Sequence, residues 1–275
     1  MSATGFTPSR LLGQIGPAIA LGVVAFVVFG PLINLGLWAF AEKWFYPARY
    51  PTEFGFDFWA RVFKPRSGAW TALFASVGIA LATVVVSMAL AIPAGYALAR
   101  LRLPARALIM LAFLLPQAFP SLPIFVNIAR MFYDIGLNGT YLGVVMVHSL
   151  PGLVYAVWIA SASFAALDSS MEEAARNMGA GPMRTFWDIT LPQAFGGLFA
   201  ASIFVFLDSI DEFTGTFFVG TPDISTLPIL MFNASMGGNY QIAAITALIL
   251  LIPSVGFMLV IERFLKADVL SRIGR

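Results

Sequence analysis

Cysteine is absent from the 275 residues, which excludes disulfides, a zinc–thiolate site and a thiol nucleophile. Histidine occurs once, as His148 in an apolar run, and no second histidine exists to complete a ligand set. It reads as a residue that packs or hydrogen-bonds between helices rather than as a metal ligand. No Gly-x-x-x-x-Gly-Lys-Ser/Thr phosphate loop is present, so the chain does not bind and hydrolyse ATP by the usual route. Neither a Ser-His-Asp set nor a zinc-binding helix motif appears, which argues against an enzyme. Charge is scarce as well: 11% of residues are Asp, Glu, Lys or Arg, against about 25% in an ordinary soluble domain. The formal charge of +2 is small and forms no basic stripe, so nucleic acid is not the partner.

What the chain does contain is apolar. Hydrophobic residues make up 59% and the mean hydropathy is +0.86, the composition of an integral membrane protein. A helix needs about 20 residues to cross the hydrocarbon, and charge-free intervals of that length recur six times. They predict an all-α, polytopic single domain over 1–275 with spans at 11–40, 71–99, 107–129, 141–166, 190–210 and 240–261. The first is long for a signal peptide and lacks a clean cleavage site, so it reads as a retained anchor. Basic residues near span ends set orientation. Arg100, Arg102 and Arg106 share one short loop, Arg176 and Arg184 another, and Arg263, Lys266, Arg272 and Arg275 the tail; with Arg10 these fall on one side, which predicts cytoplasmic termini. The other side holds Lys43, Arg49, Arg61, Lys64, Arg66 and Arg130, the first five within an aromatic, proline-broken stretch suited to the membrane interface.

The most ordered polar sequence lies between two of these spans, at 168–192. Ser169 with Glu172, or Ser170 with Glu173, fits a capping box that starts a short helix. Ala174 and Ala175 favour helix, and Gly179 stands where a left-handed residue stops it. Pro182 is placed to open a second short helix and Pro192 to open the next span. The product is a two-helix platform suited to dock into a groove on a soluble partner.

Glu173-Ala174-Ala175, Gly179 and Ile189-Thr190-Leu191-Pro192 follow the spacing EAA, three residues, Gly, nine residues, Ile-x-Leu-Pro without departure. This stretch resembles the EAA loop of type I ABC importer permeases, the inner-membrane components of binding-protein-dependent transport systems. The resemblance implies a bacterial inner-membrane subunit that pairs with a second permease, as homo- or heterodimer. It also implies two cytoplasmic ATPases that carry the ATP and Mg, an extracytoplasmic solute-binding protein, and no cofactor in this chain. Glu173 would be the polar contact to the ATPase, Ala174 and Ala175 the close-packing surface, and Gly179 the turn between the helices, with Ile189, Leu191 and Pro192 completing the motif. ATP-driven closure of the ATPases would then tilt the spans in alternating access.

Asp208, Asp211 and Glu212 are spaced i, i+3, i+4, which places three carboxylates on one face of a continuing helix at the outer end of the fifth span. Ionisable groups beside a span are costly and usually face a cavity or pathway, so the cluster suits a cationic solute. A solvated helix end, or partners for basic residues on a binding protein, explains it equally. The runs Ser209-Ile210-Asp211-Glu212-Phe213-Thr214 and Gly95-Tyr96-Ala97-Leu98-Ala99-Arg100 resemble the spermidine/putrescine branch, which also holds relatives for opines, phosphonates and iron. The second run is shared with sugar permeases. An ion-gradient carrier is the rival class, but the polar platform has no use in one.

Overall fold

A computed structural model of the chain describes residues 8–273, of which nearly all the ordered backbone is helical. Helix α1 (Pro8–Phe40) leads into a small antiparallel hairpin of β1 (Ala41–Lys43) and β2 (Glu53–Phe54), then α2 (Asp57–Val62). Trp38 stacks on Trp44 with ring centroids 4.2 Å apart, and Phe40 stacks on Trp59, so the aromatic stretch packs against the end of the first span. Helices α3 (Ala69–Arg100), α4 (Arg106–Ala118), α5 (Ser121–Asp134) and α6 (Tyr141–Ala165) follow. The platform comprises α7 (Ser170–Asn177) and α8 (Pro182–Thr185), and a five-residue π turn (Phe186–Thr190) joins it to α9 (Leu191–Asp211). A second π turn (Thr216–Gly220), α10 (Leu227–Met236) and α11 (Tyr240–Ile273) complete the chain.

Among the described residues four helices are long and apolar enough to cross a membrane: Gly16–Phe40, Ala69–Arg100, Tyr141–Ala165 and Pro182–Asp211. The expected third span, 107–129, is not one helix. It is broken into α4 and α5, which meet at 92°. Phe119 is extended there (φ −100°, ψ 148°), because the ring of Pro120 disfavours helical geometry in the residue before it. The sixth starts at Tyr240 as expected, its residues to Gly256 form a shorter apolar helix, and the helical backbone continues past Ile261 to Ile273. Arg275 lies outside the described residues, and so do the side chains of Arg10, Arg263, Lys266 and Arg272.

The core is the triple packing of α3, α6 and α9 around Leu98, Val157, Phe164, Leu198 and Val205. Small residues permit it. A Cβ added to Gly95 would lie 2.7 Å from the Ala160 Cβ and 2.9 Å from the Ser161 backbone nitrogen, so only glycine lets α3 and α6 approach this closely. On the other flank, α10 is tied to α3 where the Leu227 backbone N–H donates to Ser76 Oγ at 2.8 Å. The segment 213–238 is partly helical, with Pro222 in a turn and Pro228 in the first turn of α10.

Candidate functional site

The polar platform forms as two short helices, but with different chemistry at its start. Ser169 is already helical and caps nothing. Asp168 does the capping instead: its carboxylate accepts from the Ser170 N–H at 3.0 Å and the Ser170 hydroxyl at 2.7 Å. Those two bonds, the backbone one foremost, hold the Asp168 carboxyl below its ordinary pKa. Neither candidate capping box is therefore realised. At the far end Gly179 has φ +88°, the Gly179 N–H donates to Arg176 O at 2.9 Å, and the Ala180 N–H donates to Ala175 O at 3.0 Å. This is the Schellman stop that the glycine led one to expect.

Helical periodicity decides which platform residues are free. Glu172 and Ala175, three apart, face inward at 5% and 6% exposure, while Glu173 and Ala174 face solvent. The expectation that both alanines present themselves to a partner is corrected on this point, because Ala175 packs within its own chain. Alongside Glu173 and Ala174, the exposed surface of the platform carries Met171, Met178, Met183 and Trp187, which the sequence reading passed over. Ile189 and Leu191 are half-buried; Leu191 and Phe186 pack against the central core.

Pro192 stands in the first turn of α9, as expected, but no break separates that helix from the platform. From Pro182 to Asp211 the chain is one continuous helix, and the Leu191 N–H reaches back five residues to Phe186 O. The π turn shifts the bonding register beside Pro192, which has no N–H to contribute. Helix α9 alone has 21 residues, about 30 Å of rise, so it links the platform rigidly to features one hydrocarbon thickness away.

At that far end Asp208, Asp211 and Glu212 line one open cavity of about 690 Å³. They do not sit on one continuing helix face, since α9 ends at Asp211 and Glu212 is extended (φ −69°, ψ 118°). Glu212 turns back to cap the second π turn, accepting from the Gly215 N–H at 2.8 Å and the Thr216 N–H at 3.3 Å. His148 is buried beside it, with Nδ1 2.8 Å from Ser209 Oγ, Nε2 2.7 Å from Thr216 Oγ1, and Nε2 3.6 Å from Glu212 Oε2. It is the interhelical hydrogen-bonding residue anticipated from its apolar context. Among the described residues no group of histidines and acids is arranged to hold a metal.

Asp208 Oδ2 is buried and has no hydrogen-bond partner, and neither Asp208 nor Asp211 forms an ion pair among the described residues. The opposite wall of the cavity is the α4–α5 break, through Pro116, Gln117, Phe119 and Ser121, with the rings of Tyr155, Phe204 and Phe213 completing it. Irregular backbone at membrane depth is tolerated against protein or lining a cavity, and this break lines one.

Known proteins place this architecture. Residues 91–268 match the family model described as the binding-protein-dependent transport system inner membrane component. The chain is 30% identical over 227 residues to the trehalose transport system permease protein SugB of Mycobacterium tuberculosis, covering 80% of this chain and 82% of that one. It is 37% identical over 97 residues to the putrescine transport system permease protein PotI of Escherichia coli K12, covering 35% and 34% of the two chains. A crystal structure of a bacterial ABC transporter involved in the import of the acidic polysaccharide alginate contains a chain with the same fold. Its TM-score is 0.69 at 17% identity, covering 95% of this chain and 99% of that one. The chain therefore belongs to the binding-protein-dependent transport system inner membrane components, the permease subunits of ABC importers.

Proposed function

We propose that this permease forms half of a translocation pore with a second permease chain, and that its platform is the docking point for a cytoplasmic ATPase. In this reading Glu173, Ala174 and the exposed methionines of α7 and α8 enter a groove on the ATPase, and Gly179 fixes the angle between the two short helices. Ile189, Leu191 and Pro192 anchor the platform to α9. The platform side, with both termini, is then cytoplasmic, and the acid-lined cavity lies toward the outer face, where a solute-binding protein delivers its cargo. ATP and Mg belong to the ATPases, and this chain contributes no catalytic group.

The solute we propose is a small amine or polyamine-like cation. The observation that carries this is the cavity itself: three carboxylates converge on it, and no lysine or arginine is ion-paired with any of them among the described residues. A cation within about 4 Å of a carboxylate gains on the order of 1–4 kcal/mol between water-like and surface-like dielectric. Asp211 is exposed, so the lower end applies. Asp211→Asn keeps shape and removes one charge, and uptake of a polyamine should fall roughly tenfold, the equivalent of about 1.4 kcal/mol. ATPase bound to the complex should be undiminished. A second reading, a neutral sugar, draws on the extensive similarity to SugB and on the Tyr155, Phe204 and Phe213 rings, with the carboxylates accepting from hydroxyls. Thermal shift of the cognate binding protein by spermidine or by trehalose separates the two, and Asp211→Asn transport unaffected for every amine tested removes the first.

A further inference from the structure

Glu172 stands immediately before Glu173 and faces the opposite way. Its side chain is only 7% exposed, and its partner Arg100, the last residue of α3, is 16% exposed. Arg100 Nη2 lies 3.2 Å from Glu172 Oε1 and also donates to the Leu167 carbonyl at 3.0 Å, just past the end of α6. The same Oε1 accepts from the Thr190 hydroxyl at 3.1 Å, and Thr190, fully buried, closes the π turn at the foot of α9. The carboxylate thus joins the platform helix to the ends of α3 and α9, and Arg100 extends the link to the end of α6. Arg100 is also the terminal residue of the Gly95–Arg100 run, which the family spacing of the platform leaves without a role.

We propose that the Glu172–Arg100–Thr190 cluster is the strut through which movement of α7 reaches the membrane spans; this rests on the reading of α7 as the ATPase docking helix. Toward α8 the turn at Gly179 sets the angle between the two short helices, but its bonds tie α7 to neither α3 nor α6. The apolar contact of α7 is largely Ala175, a single methyl about which a short helix is free to roll. The inward carboxylate removes that freedom. Its Oε2 lies 3.7 Å from Arg176 Nη2 on the same helix, so the ties to other elements run through Oε1; these are charge-assisted and shielded from water, where such contacts are strong. Arg100 Nη2 alone meets both the carboxylate and the Leu167 carbonyl, and the guanidinium holds that nitrogen at the end of a rigid plane, where a lysine ammonium is a freely rotating point charge. Glu172, Arg100 and Thr190 are accordingly positioning residues. They touch neither solute nor nucleotide, and they turn docking into tilt.

The test uses the full complex, with its second permease, ATPases and binding protein, reconstituted in liposomes. Four quantities are read: permease level, ATPase retained, ATP hydrolysed and solute imported per ATP. Glu172→Gln and Arg100→Lys should retain the ATPase and its basal hydrolysis but import at least tenfold less solute per ATP. Thr190→Val, close in volume, should lower that ratio about threefold. The exchange Arg100→Glu with Glu172→Arg should recover part of the loss, which a purely structural defect would not do. If Glu172→Gln fails to insert, Thr190→Val decides, and normal import per ATP in that variant overturns the strut. Normal import per ATP in Glu172→Gln overturns it as well, and so does loss of bound ATPase, which would make Glu172 a docking residue. Failure of the docking reading is seen separately, as full ATPase retention in Glu173→Ala combined with Met178→Glu.

Discussion

Gly179 offers the cleanest perturbation of the platform, because space and backbone strain separate there. Its φ is +88°, and a Cβ at that position would meet no atom within 4 Å. The cost of a side chain is therefore conformational rather than steric: about 1–2 kcal/mol for an L-residue in the left-handed region. By the tenfold-per-1.4-kcal/mol rule this lowers the population of the native turn by roughly 5- to 30-fold relative to alternatives. The Schellman bonds from Gly179 and Ala180 would be lost together, freeing the angle between α7 and α8. Gly181, two residues on, is an internal control. It also has open space, but its φ of −68° and ψ of 162° suit any residue. The expected order of solute uptake is Gly181→Ala equal to wild type, Gly179→Asn slightly reduced since asparagine tolerates this region, Gly179→Ala lower, and Gly179→Val lowest. Membrane levels, followed by immunoblot, should be equal across the series. Uptake by Gly179→Val equal to that of Gly181→Ala would refute the reasoning, and so would a loss in Gly181→Ala of the same size.

At the other end of the energy scale, Gly95→Leu should prevent the approach of α3 to α6, since even a Cβ there falls 2.9 Å from backbone nitrogen. Overpacking of this kind costs about 1–3 kcal/mol or more, to be read as a lower midpoint of thermal unfolding in detergent; an unchanged midpoint would mean the helices separate without cost. Orientation is open to thiol labelling, because no native cysteine interferes. A cysteine at exposed Ser169 should react with an impermeant maleimide only after the membrane is opened, while one at Ser225 should react in intact spheroplasts, and the reverse pattern would invert the proposed topology.

The platform was legible because its signals are local. A glycine at a helix stop, a proline in a first turn and small polar residues between apolar spans each act within a few positions, and Gly179 and Pro182 serve as their chemistry suggests. What escaped is what depends on direction or distance. Charge-free length located 107–129 but is blind to bending, although Pro116 and Pro120 were there to be weighed as breakers. The i, i+3, i+4 spacing predicts Asp208, Asp211 and Glu212 on one helical face. They do meet, at a cavity, but the helix ends at Asp211 and Glu212 serves the next turn's N–H groups. The two adjacent glutamates make the same point most sharply. Glu172 and Glu173 are chemically identical and both fit a capping box, yet a rotation of about 100° per residue sends one to solvent and the other into an ion pair with the end of a distant span. Marking that rotation against Ala175 would have assigned the inward face from sequence. The partner, Arg100, required the fold, because no local rule relates the last residue of α3 to the first turn of α7, with three helices between them. A polar platform between apolar spans must hold its orientation without a core of its own, and a buried carboxylate shared among three helices supplies what eight residues of helix cannot.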